Sequence, residues 1–316
     1  MLDYIETTKH LITKDKPFLG YLQKQDYLVY GWQKYFIEGC RNMEIRYNPS
    51  MQIIRLKGSP LYYYQGQNFT YSKKIFVESI KYLEDILHIG LFESDLDVLE
   101  SGIIMEVDRK PKYIISGHQA GKGLSMRLNE KDKGNIRYYS DKLTTLKLYN
   151  AGANIQHKQS IPMKEIIKKS GWNPEGNFLK FEAHYSKPHI SLNNGRNILL
   201  SEIFSPSWED RLKEDLYNQY QRLEPMRSIE MPTSKKDLSS GEIILLTLAE
   251  QACNEGKDLK ELLYNKINSI PESVLNHEDK KKRKQKINIM LGKVGKSSKS
   301  EYDISDLLES SLYKKE

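Results

Sequence analysis

Three segments of the sequence alternate apolar and polar residues and carry side chains that could do chemistry. In segment 103–108, Glu106 and Asp108 fall on one face of the predicted strand. In segment 145–149, Lys147 and Tyr149 share a face. In segment 179–185, the polar face carries a lysine, a glutamate and a histidine, which are Lys180, Glu182 and His184. Because successive side chains of a strand point to opposite sides, the alternation predicts three strands, each with one apolar and one polar face.

The acidic residues on these polar faces are typical ligands of a hard divalent cation. Carboxylate oxygens are the donors that such cations prefer, so we expect Asp108 and Glu182, with Glu106 as a further candidate, to bind Mg²⁺ or Mn²⁺. His184 lies two residues from Glu182 on the same face and is a candidate to join as a ligand or to orient one. The competing interpretation is a solvent-facing sheet with ordinary polar residues, and the pattern alone favours it.

Tyr149 is the candidate nucleophile. A tyrosine hydroxyl beside a metal-held phosphate can attack a phosphodiester, because the metal polarises the phosphoryl group and the aryl oxygen then forms the covalent link. Lys147 projects from the same face and is the second candidate for catalysis.

Two other kinds of site are excluded. The segment Gly117-His118-Gln119-Ala120-Gly121-Lys122-Gly123 approaches a Walker motif, but Lys122 stands where the second glycine belongs and no Ser or Thr follows it. Only two cysteines occur, Cys40 and Cys253, and the histidines show no zinc-ligand spacing. The sequence therefore predicts neither ATP binding at this segment nor a zinc enzyme.

The elements that must position these residues fall into two regions. Residues 1–204 read as an α+β core, with an antiparallel sheet flanked by helices on its apolar side. Within it, apolar residues at helical spacing predict a helix over Lys73–Leu87, with Gly90 as its stop. From residue 205 to 316 the pattern becomes helical, and this region includes a basic stretch at 280–299.

The basic stretch explains the net charge of +7. It holds nine lysines and arginines and no acid, which leaves the rest of the chain formally at −2. Such a run suits phosphate backbones, since each neutralised phosphate releases counterions; a solvated tail is the equally weighted alternative. The residues expected to bind DNA are Lys280, Lys281, Lys282, Arg283, Lys284 and Lys286.

The chain has 316 residues, of which 38% are hydrophobic and 29% charged. This composition is typical of a globular protein rather than a disordered one. No apolar run approaches the ~18 residues that cross a bilayer, and acids occupy the start of the chain where a signal peptide would be basic. We expect a cytoplasmic protein that does not engage a membrane.

A family resemblance strengthens the interpretation of these polar faces. The segment Arg55–Asn68 resembles the Ser-Pro…Gln-Gly-His-Asn segment of filamentous-phage replication initiators of the gene II type. Other pieces follow in the same order over about residues 1–190: a strand ending in Asp108, a Leu-x-x-Tyr strand ending in Tyr149, and a Phe-Glu-Ala strand around Glu182. The start, Met1-Leu2-Asp3, is also similar. The matching positions of the first segment are Ser59, Pro60, Gln65, Gly66, Gln67 and Asn68.

The resemblance implies a rolling-circle initiator that nicks one strand of duplex origin DNA and later rejoins it. It implies that Tyr149 forms a 5′-phosphotyrosine and that Asp108 and Glu182 hold Mg²⁺ or Mn²⁺. The partners would be duplex and single-stranded DNA at a replication origin, with a host helicase and polymerase, in the host cytoplasm. A DNA-binding regulator of the same fold without catalysis, and a relaxase or transposon initiator, are the alternatives.

The sequence departs from the family pattern in four places. Ala151 stands where a lysine is expected and Asn154 where a glutamate is expected. Gln67 replaces a histidine, and Arg55 occupies a strand position where an acid is expected. A missing lysine would weaken stabilisation of charge in the transition state, so catalysis is less firmly implied than the family.

Overall fold

The fold is that of a computed structural model of the chain. The structure describes residues 2–12, 15, 17, 19–20, 22–25, 29–37, 40–66, 71–128, 134–153, 176–225, 241, 243–244, 247–248, 251, 259–293 and 302–313. The chain divides into two compact units. The first comprises residues 1–115, 122–222 and 305–316, and the second comprises residues 116–121 and 223–304.

Ten strands of the first unit form one antiparallel sheet, in the order β2-β3-β4-β5-β1-β6-β11-β10-β9-β8. A separate two-stranded pair, β7 with β12, belongs to the second unit. The strands are β1 Leu2–His10, β2 Leu22–Gln25, β3 Gln33–Ile37, β4 Cys40–Asn48, β5 Ile53–Gly58, β6 Asp95–Val107, β7 His118–Ala120, β8 Ser125–Arg127, β9 Ile136–Ser140, β10 Thr144–Asn150, β11 Asn177–Tyr185 and β12 Leu223–Pro225.

The described chain contains α-helices in addition to the sheet. The helices of the described chain are α1 Pro60–Gln65, α2 Lys73–Leu87, α3 Pro111–Ser116, α4 Pro188–Asn193, α5 Pro206–Tyr220, α6 Leu259–Ser269, α7 His277–Lys293 and α8 Ser305–Leu312. Helices α6 and α7 lie in the second unit and α8 lies in the first. The predicted α+β class with an antiparallel sheet is confirmed.

Helix α5 packs against the apolar face of the central strands. The rings of Phe181 on β11 and Tyr220 on α5 meet edge to face with centroids 5.6 Å apart. The Tyr185 hydroxyl, four residues further along β11, donates a hydrogen bond to Asp215 of α5. Since Phe181 and Tyr185 share one side of β11, Glu182 and His184 point to the other side.

Helix α2 begins and ends for local reasons. Ser72 caps its start by accepting a hydrogen bond from the Ile75 amide at 3.4 Å. The helix ends at Leu87, and His88 adopts the left-handed conformation with φ of 54°. The predicted span is confirmed, but the predicted stop at Gly90 is wrong, since the reversal occurs two residues earlier and on a non-glycine residue.

The compact units do not follow the predicted boundary at 204/205. Helix α5, which the sequence places in the C-terminal region, contacts β6 and β11 and belongs to the first unit, as does α8. The segment around β7, which the sequence places in the core, belongs to the second unit. Among the described residues, no helix is both long and apolar enough to cross a membrane.

Candidate active site

Strands β10 and β11 bring the predicted nucleophile and the predicted acid together. The antiparallel register places Lys147 opposite Glu182, Tyr149 opposite Lys180, and Thr145 opposite His184. Directly opposed residues of an antiparallel pair share a face and lie close enough to touch. The polar faces of two segments about thirty residues apart in sequence thus form one surface, directed away from helix α5.

Further residues complete this surface, which we call the carboxylate–lysine cluster. Strand β6 contributes Glu100, which is opposite His184, and the amino-terminal strand β1 contributes Asp3. The cluster consists of Asp3, Glu100, Lys147, Tyr149, Lys180, Glu182 and His184.

Tyr149 is enclosed within the cluster. It is 8% exposed, and its hydroxyl donates a hydrogen bond of 2.8 Å to Glu182 Oε1. The Lys180 ammonium lies 5.8 Å from the centre of the Tyr149 ring. Burial and the neighbouring Glu182 carboxylate raise the pKa of Tyr149 well above its ordinary value. The tyrosine is therefore neutral at rest, with its proton already directed at a carboxylate.

Lys180 bridges two buried carboxylates. Its Nζ lies 2.5 Å from Asp3 Oδ2 and 2.6 Å from Glu182 Oε1. Burial alone would lower the pKa of Lys180, but the two carboxylates outweigh it and raise that pKa well above its ordinary value. Burial raises the pKa of Glu182 to about 7, partly offset by the ammonium of Lys180. The lysine therefore stays charged, while Glu182 is poised to exchange a proton near neutral pH.

Glu100 holds the other side of the cluster. Its Oε1 lies 2.9 Å from His184 Nδ1 and contacts the Lys147 ammonium, which is also 3.7 Å from Glu182 Oε2. Burial opposes the charge of Glu100, but the hydrogen bond from His184 and the charge of Lys147 outweigh it and lower the pKa of Glu100. Glu100 therefore remains ionised and positions both His184 and Lys147.

The absence of a side chain at Gly102 leaves space for the side chain of Glu182. It lies opposite Glu182 in the β6–β11 pairing. A β-carbon at Gly102 would come within 2.5 Å of Glu182 Cγ and 2.9 Å of the Phe181 carbonyl oxygen. Only a residue without a side chain leaves space for Glu182 in its present rotamer.

Three carboxylates of the cluster fit a divalent cation. Asp3, Glu100 and Glu182 each offer an oxygen, and these oxygens lie within 4.8 Å of one another. Hard cations prefer such oxygen donors. His184 contacts Glu100 and so orients a carboxylate of this set.

The predicted metal ligands Glu106 and Asp108 do not join this set. Glu106 is opposite Phe178, four positions from the Gly102–Glu182 pair, which places it about 13 Å along the strand. Asp108 follows the end of β6, and both side chains are exposed. The alternation identified the correct face of the strand, but it carries no information about distance along the strand. The prediction that Asp108 or Glu106 shares a metal site with Glu182 is therefore wrong for this structure.

Part of the Ser-Pro motif shapes helix α1 beside the cluster. Ser59 caps the helix by accepting a hydrogen bond from the Tyr62 amide, and its hydroxyl also lies 3.5 Å from Asp3 Oδ1. Pro60 occupies the first turn, where its missing N–H costs nothing. Gln65 is the last helical residue, and Gly66 ends the helix with φ of 74°. Gln67 and Asn68 lie outside the described residues.

Asp3 and Glu100 are site residues that the sequence patterns did not predict, and Lys180 was predicted only as part of a polar face. Glu100 lies on the same side of β6 as Glu106, but Ile104 and Gly102 interrupt the polar alternation between them, so the pattern did not reach it. The signal for Asp3 was weaker, since β1 reaches β11 only through the fold of the sheet.

The predicted DNA-binding residues lie on helix α7 of the second unit. Lys281, Lys282, Arg283 and Lys286 are exposed. Lys280 and Lys284 are half-buried: Lys280 Nζ lies 3.4 Å from the Asn268 carbonyl oxygen, and Lys284 Nζ lies 5.4 Å from the centre of the Tyr264 ring. Of these six predicted residues, four are exposed to solvent and two contact α6.

No family model matches the chain, and no curated protein or solved structure matches it.

Proposed function

We propose that the chain initiates rolling-circle replication by nicking and rejoining one strand of origin DNA through Tyr149. The observation that carries this proposal is the hydrogen bond from the Tyr149 hydroxyl to Glu182, inside a cluster that also holds two lysines and two more carboxylates. A nucleophile, a proton acceptor and positive charge within contact distance are the requirements of phosphoryl transfer to a tyrosine.

Glu182 is the proton acceptor in this mechanism. As the Tyr149 oxygen attacks the scissile phosphorus, its proton passes to Glu182 Oε1, which lies 2.8 Å away. The bond from phosphorus to the 3′-oxygen of the preceding nucleotide breaks, that oxygen takes a proton from solvent water, and Glu182 returns its proton to solvent. The products are a 5′-phosphotyrosine and a free 3′-hydroxyl that a polymerase extends. The phosphotyrosine retains the energy of the broken ester, so the reverse reaction rejoins a strand without ATP.

Lys180 takes the place of the lysine that the family pattern expects at residue 151. Ala151 is 1% exposed, so the side chain at that position is packed inside the fold. Lys180 lies directly opposite Tyr149, and its ammonium is within 6 Å of the Tyr149 ring. A fixed cation at this distance would stabilise the negative charge that develops on the phenolic and phosphoryl oxygens.

Asp3, Glu100 and Glu182 are the residues that would hold Mg²⁺ or Mn²⁺, in place of the predicted set with Asp108. When bound, the cation would polarise the phosphoryl group. The partners of this activity are duplex and single-stranded origin DNA, with a host helicase and polymerase acting on the nicked product.

Nicking of a supercoiled plasmid that carries the DNA around the coding sequence tests the proposal. Tyr149→Phe removes the hydroxyl and keeps the ring, so we expect no nicking but unchanged binding of the plasmid. Tyr139→Phe is the matched control, since Tyr139 is a buried tyrosine on the neighbouring strand β9. Nicking by Tyr149→Phe at the wild-type rate would refute the assignment.

A DNA-binding regulator of the same fold is the second candidate. The enclosure of Tyr149 and the contacts of Lys147 and Lys180 with all three carboxylates favour it, since a cation must compete with two ammonium groups. A wild-type protein that binds the plasmid but leaves it supercoiled at every Mg²⁺ and Mn²⁺ concentration would support this candidate over the first.

A further inference from the structure

Strands β3, β4 and β5 carry a row of positive charges that the proposed chemistry does not use. The register places Lys34 opposite Arg46, and Arg46 opposite Arg55. Lys57 lies two residues beyond Arg55 on the same face. Like charges directly opposite one another destabilise a sheet, so three cations in register on adjacent strands need an explanation beyond folding.

Acids on this face neutralise only part of the row. Glu44 lies 2.6 Å from Lys34 and 2.5 Å from Arg46, so one carboxylate serves two cations. Glu6 lies 2.8 Å from Lys57. Asp97, which accepts a hydrogen bond from Thr8, is a third acid beside these cations. Four cations thus face three acids, which leaves one positive charge for an anionic ligand.

Aromatic rings accompany these cations. The Arg55 guanidinium lies over the Trp32 ring, 4.6 Å from its centre, and the Lys34 ammonium lies 4.7 Å from the centre of the Phe36 ring. A guanidinium stacked on an indole joins a phosphate-binding group to an aromatic ring in one stack.

Tyr30, two residues before Trp32, has an exposed ring and an unfavourable backbone conformation. Its backbone is left-handed, with φ of 65° and ψ of 39°, which is an outlier for a bulky residue. The buried Asn48 side chain donates a hydrogen bond of 3.2 Å to the Tyr30 carbonyl oxygen, which helps to hold this conformation. The side chain gains no packing in return, because Tyr30 is 89% exposed. Strain of this kind concentrates at functional sites.

A small groove adjoins these residues. It has a volume of about 210 Å³ and is lined by Glu6, Thr7, Arg46, Arg55, Leu56, Lys57 and Asp97. Three of its lining side chains are cationic and two are acidic. It suits a phosphate or a sugar–phosphate unit better than a larger organic ligand.

We propose that this surface, which we call the β3–β5 face (Tyr30, Trp32, Lys34, Arg46, Arg55 and Lys57), binds single-stranded DNA. Unpaired bases stack on Tyr30 and Trp32, and the phosphates between them contact Arg46, Arg55 and Lys57. Single strands expose the flat faces of their bases, whereas a duplex buries them, so the combination of rings and cations selects unpaired DNA.

The choice of DNA rests on the proposed function, because a strand displaced at a nick is the unpaired nucleic acid that such an enzyme meets. The β3–β5 face belongs to the same sheet as Tyr149, and the two are connected through β1. There Tyr4 donates a hydrogen bond to Glu6, and the Tyr4 ring lies 6.5 Å from the ring of His184.

Fluorescence anisotropy with the full chain and a 5′-fluorescein dT20 probe tests the inference. We expect dT20 to bind more tightly than a duplex of equal length, and more tightly than rU20. Tyr30→Gly should weaken dT20 binding by about 5- to 150-fold, the range for loss of one stacked base. Its melting temperature should stay equal or rise, since glycine adopts the left-handed conformation without strain. Arg55→Gln should also weaken binding and reduce its salt dependence.

Tyr313→Ala and Lys81→Gln are the matched controls, because both residues are exposed parts of the same unit away from the β3–β5 face: Lys81 lies on α2 and Tyr313 directly follows α8. Wild-type affinity of Tyr30→Gly and Arg55→Gln for dT20 would overturn the inference, as would tighter binding of the duplex or of rU20. Tyr149→Phe separates the two proposals: it should bind dT20 normally even if nicking is absent in every variant. Nicking by the wild type without dT20 selectivity would refute the β3–β5 assignment alone.

Discussion

Replacing Gly102 by alanine should create a steric clash between strand β6 and the Glu182 side chain on β11. The added β-carbon would lie 2.5 Å from Glu182 Cγ and 2.9 Å from the Phe181 carbonyl oxygen. Both distances are far inside van der Waals contact, and neither neighbour is the free end of a flexible chain. Either Glu182 changes rotamer and loses Tyr149, or β6 and β11 move apart.

Overpacking of this kind typically costs about 1–3 kcal/mol. In a domain of roughly 150–250 residues, each kcal/mol lowers the melting temperature by about 2–4 °C. We therefore expect Gly102→Ala to melt about 2–12 °C below the wild type, and to nick DNA slowly because the Tyr149–Glu182 hydrogen bond is disturbed.

Gly90→Ala is the control for this experiment. No atom lies within 4 Å of a β-carbon built at Gly90, and its φ is not in the left-handed region. The substitution should be neutral or stabilise the fold by about 0.4–1 kcal/mol through the unfolded chain. Thermal melts followed by circular dichroism compare the two variants. Equal melting temperatures of Gly102→Ala and Gly90→Ala would refute the expected clash at Glu182.

Two further predictions concern charge. Lys180→Met leaves Asp3 and Glu182 as buried carboxylates without their shared cation, so urea titration should show a loss of about 3–5 kcal/mol; a loss below ~1 kcal/mol would mean that solvent reaches the pair. Neutralising three exposed cations of α7 should lower the slope of log affinity for duplex DNA against log salt concentration by up to about 2.7, without changing the melting temperature. An unchanged slope would show that these cations do not contact DNA and form only a solvated face of the helix. The variant for that test is Lys281→Gln/Lys282→Gln/Arg283→Gln.

Local pattern predicted the faces of the central strands. Alternation placed Lys147 and Tyr149 on one side of a strand, and Glu182 and His184 on one side of another, and the structure joins these sides through the β10–β11 register. The same pattern misplaced Glu106, because a period of two defines a side and not a distance along the strand.

The contacts of Asp3 and Glu100 with the cluster depend on long-range strand pairing and could not be predicted from local sequence. Lys180 meets Asp3 across 177 positions of sequence, and Glu100 reaches the cluster because β6 lies between β1 and β11. Strand order in an antiparallel sheet depends on which apolar faces pack together, and a local window holds no information about it. Helix α2 was predictable because its spacing and its cap are local, whereas its end at His88 uses a backbone conformation that usually requires glycine.

Identification of the residue that becomes linked to DNA tests the central claim most directly. The wild-type protein is incubated with Mg²⁺ and a supercoiled plasmid that carries the DNA around its coding sequence. The protein–DNA adduct is then digested with nuclease and trypsin and analysed by mass spectrometry. We predict a nucleotide on the peptide Leu148–Lys158, whose only tyrosine is Tyr149, and no adduct after addition of EDTA or with Tyr149→Phe. A nicked plasmid whose adduct maps to another tyrosine, or nicking that leaves no covalent protein–DNA link, would contradict the account.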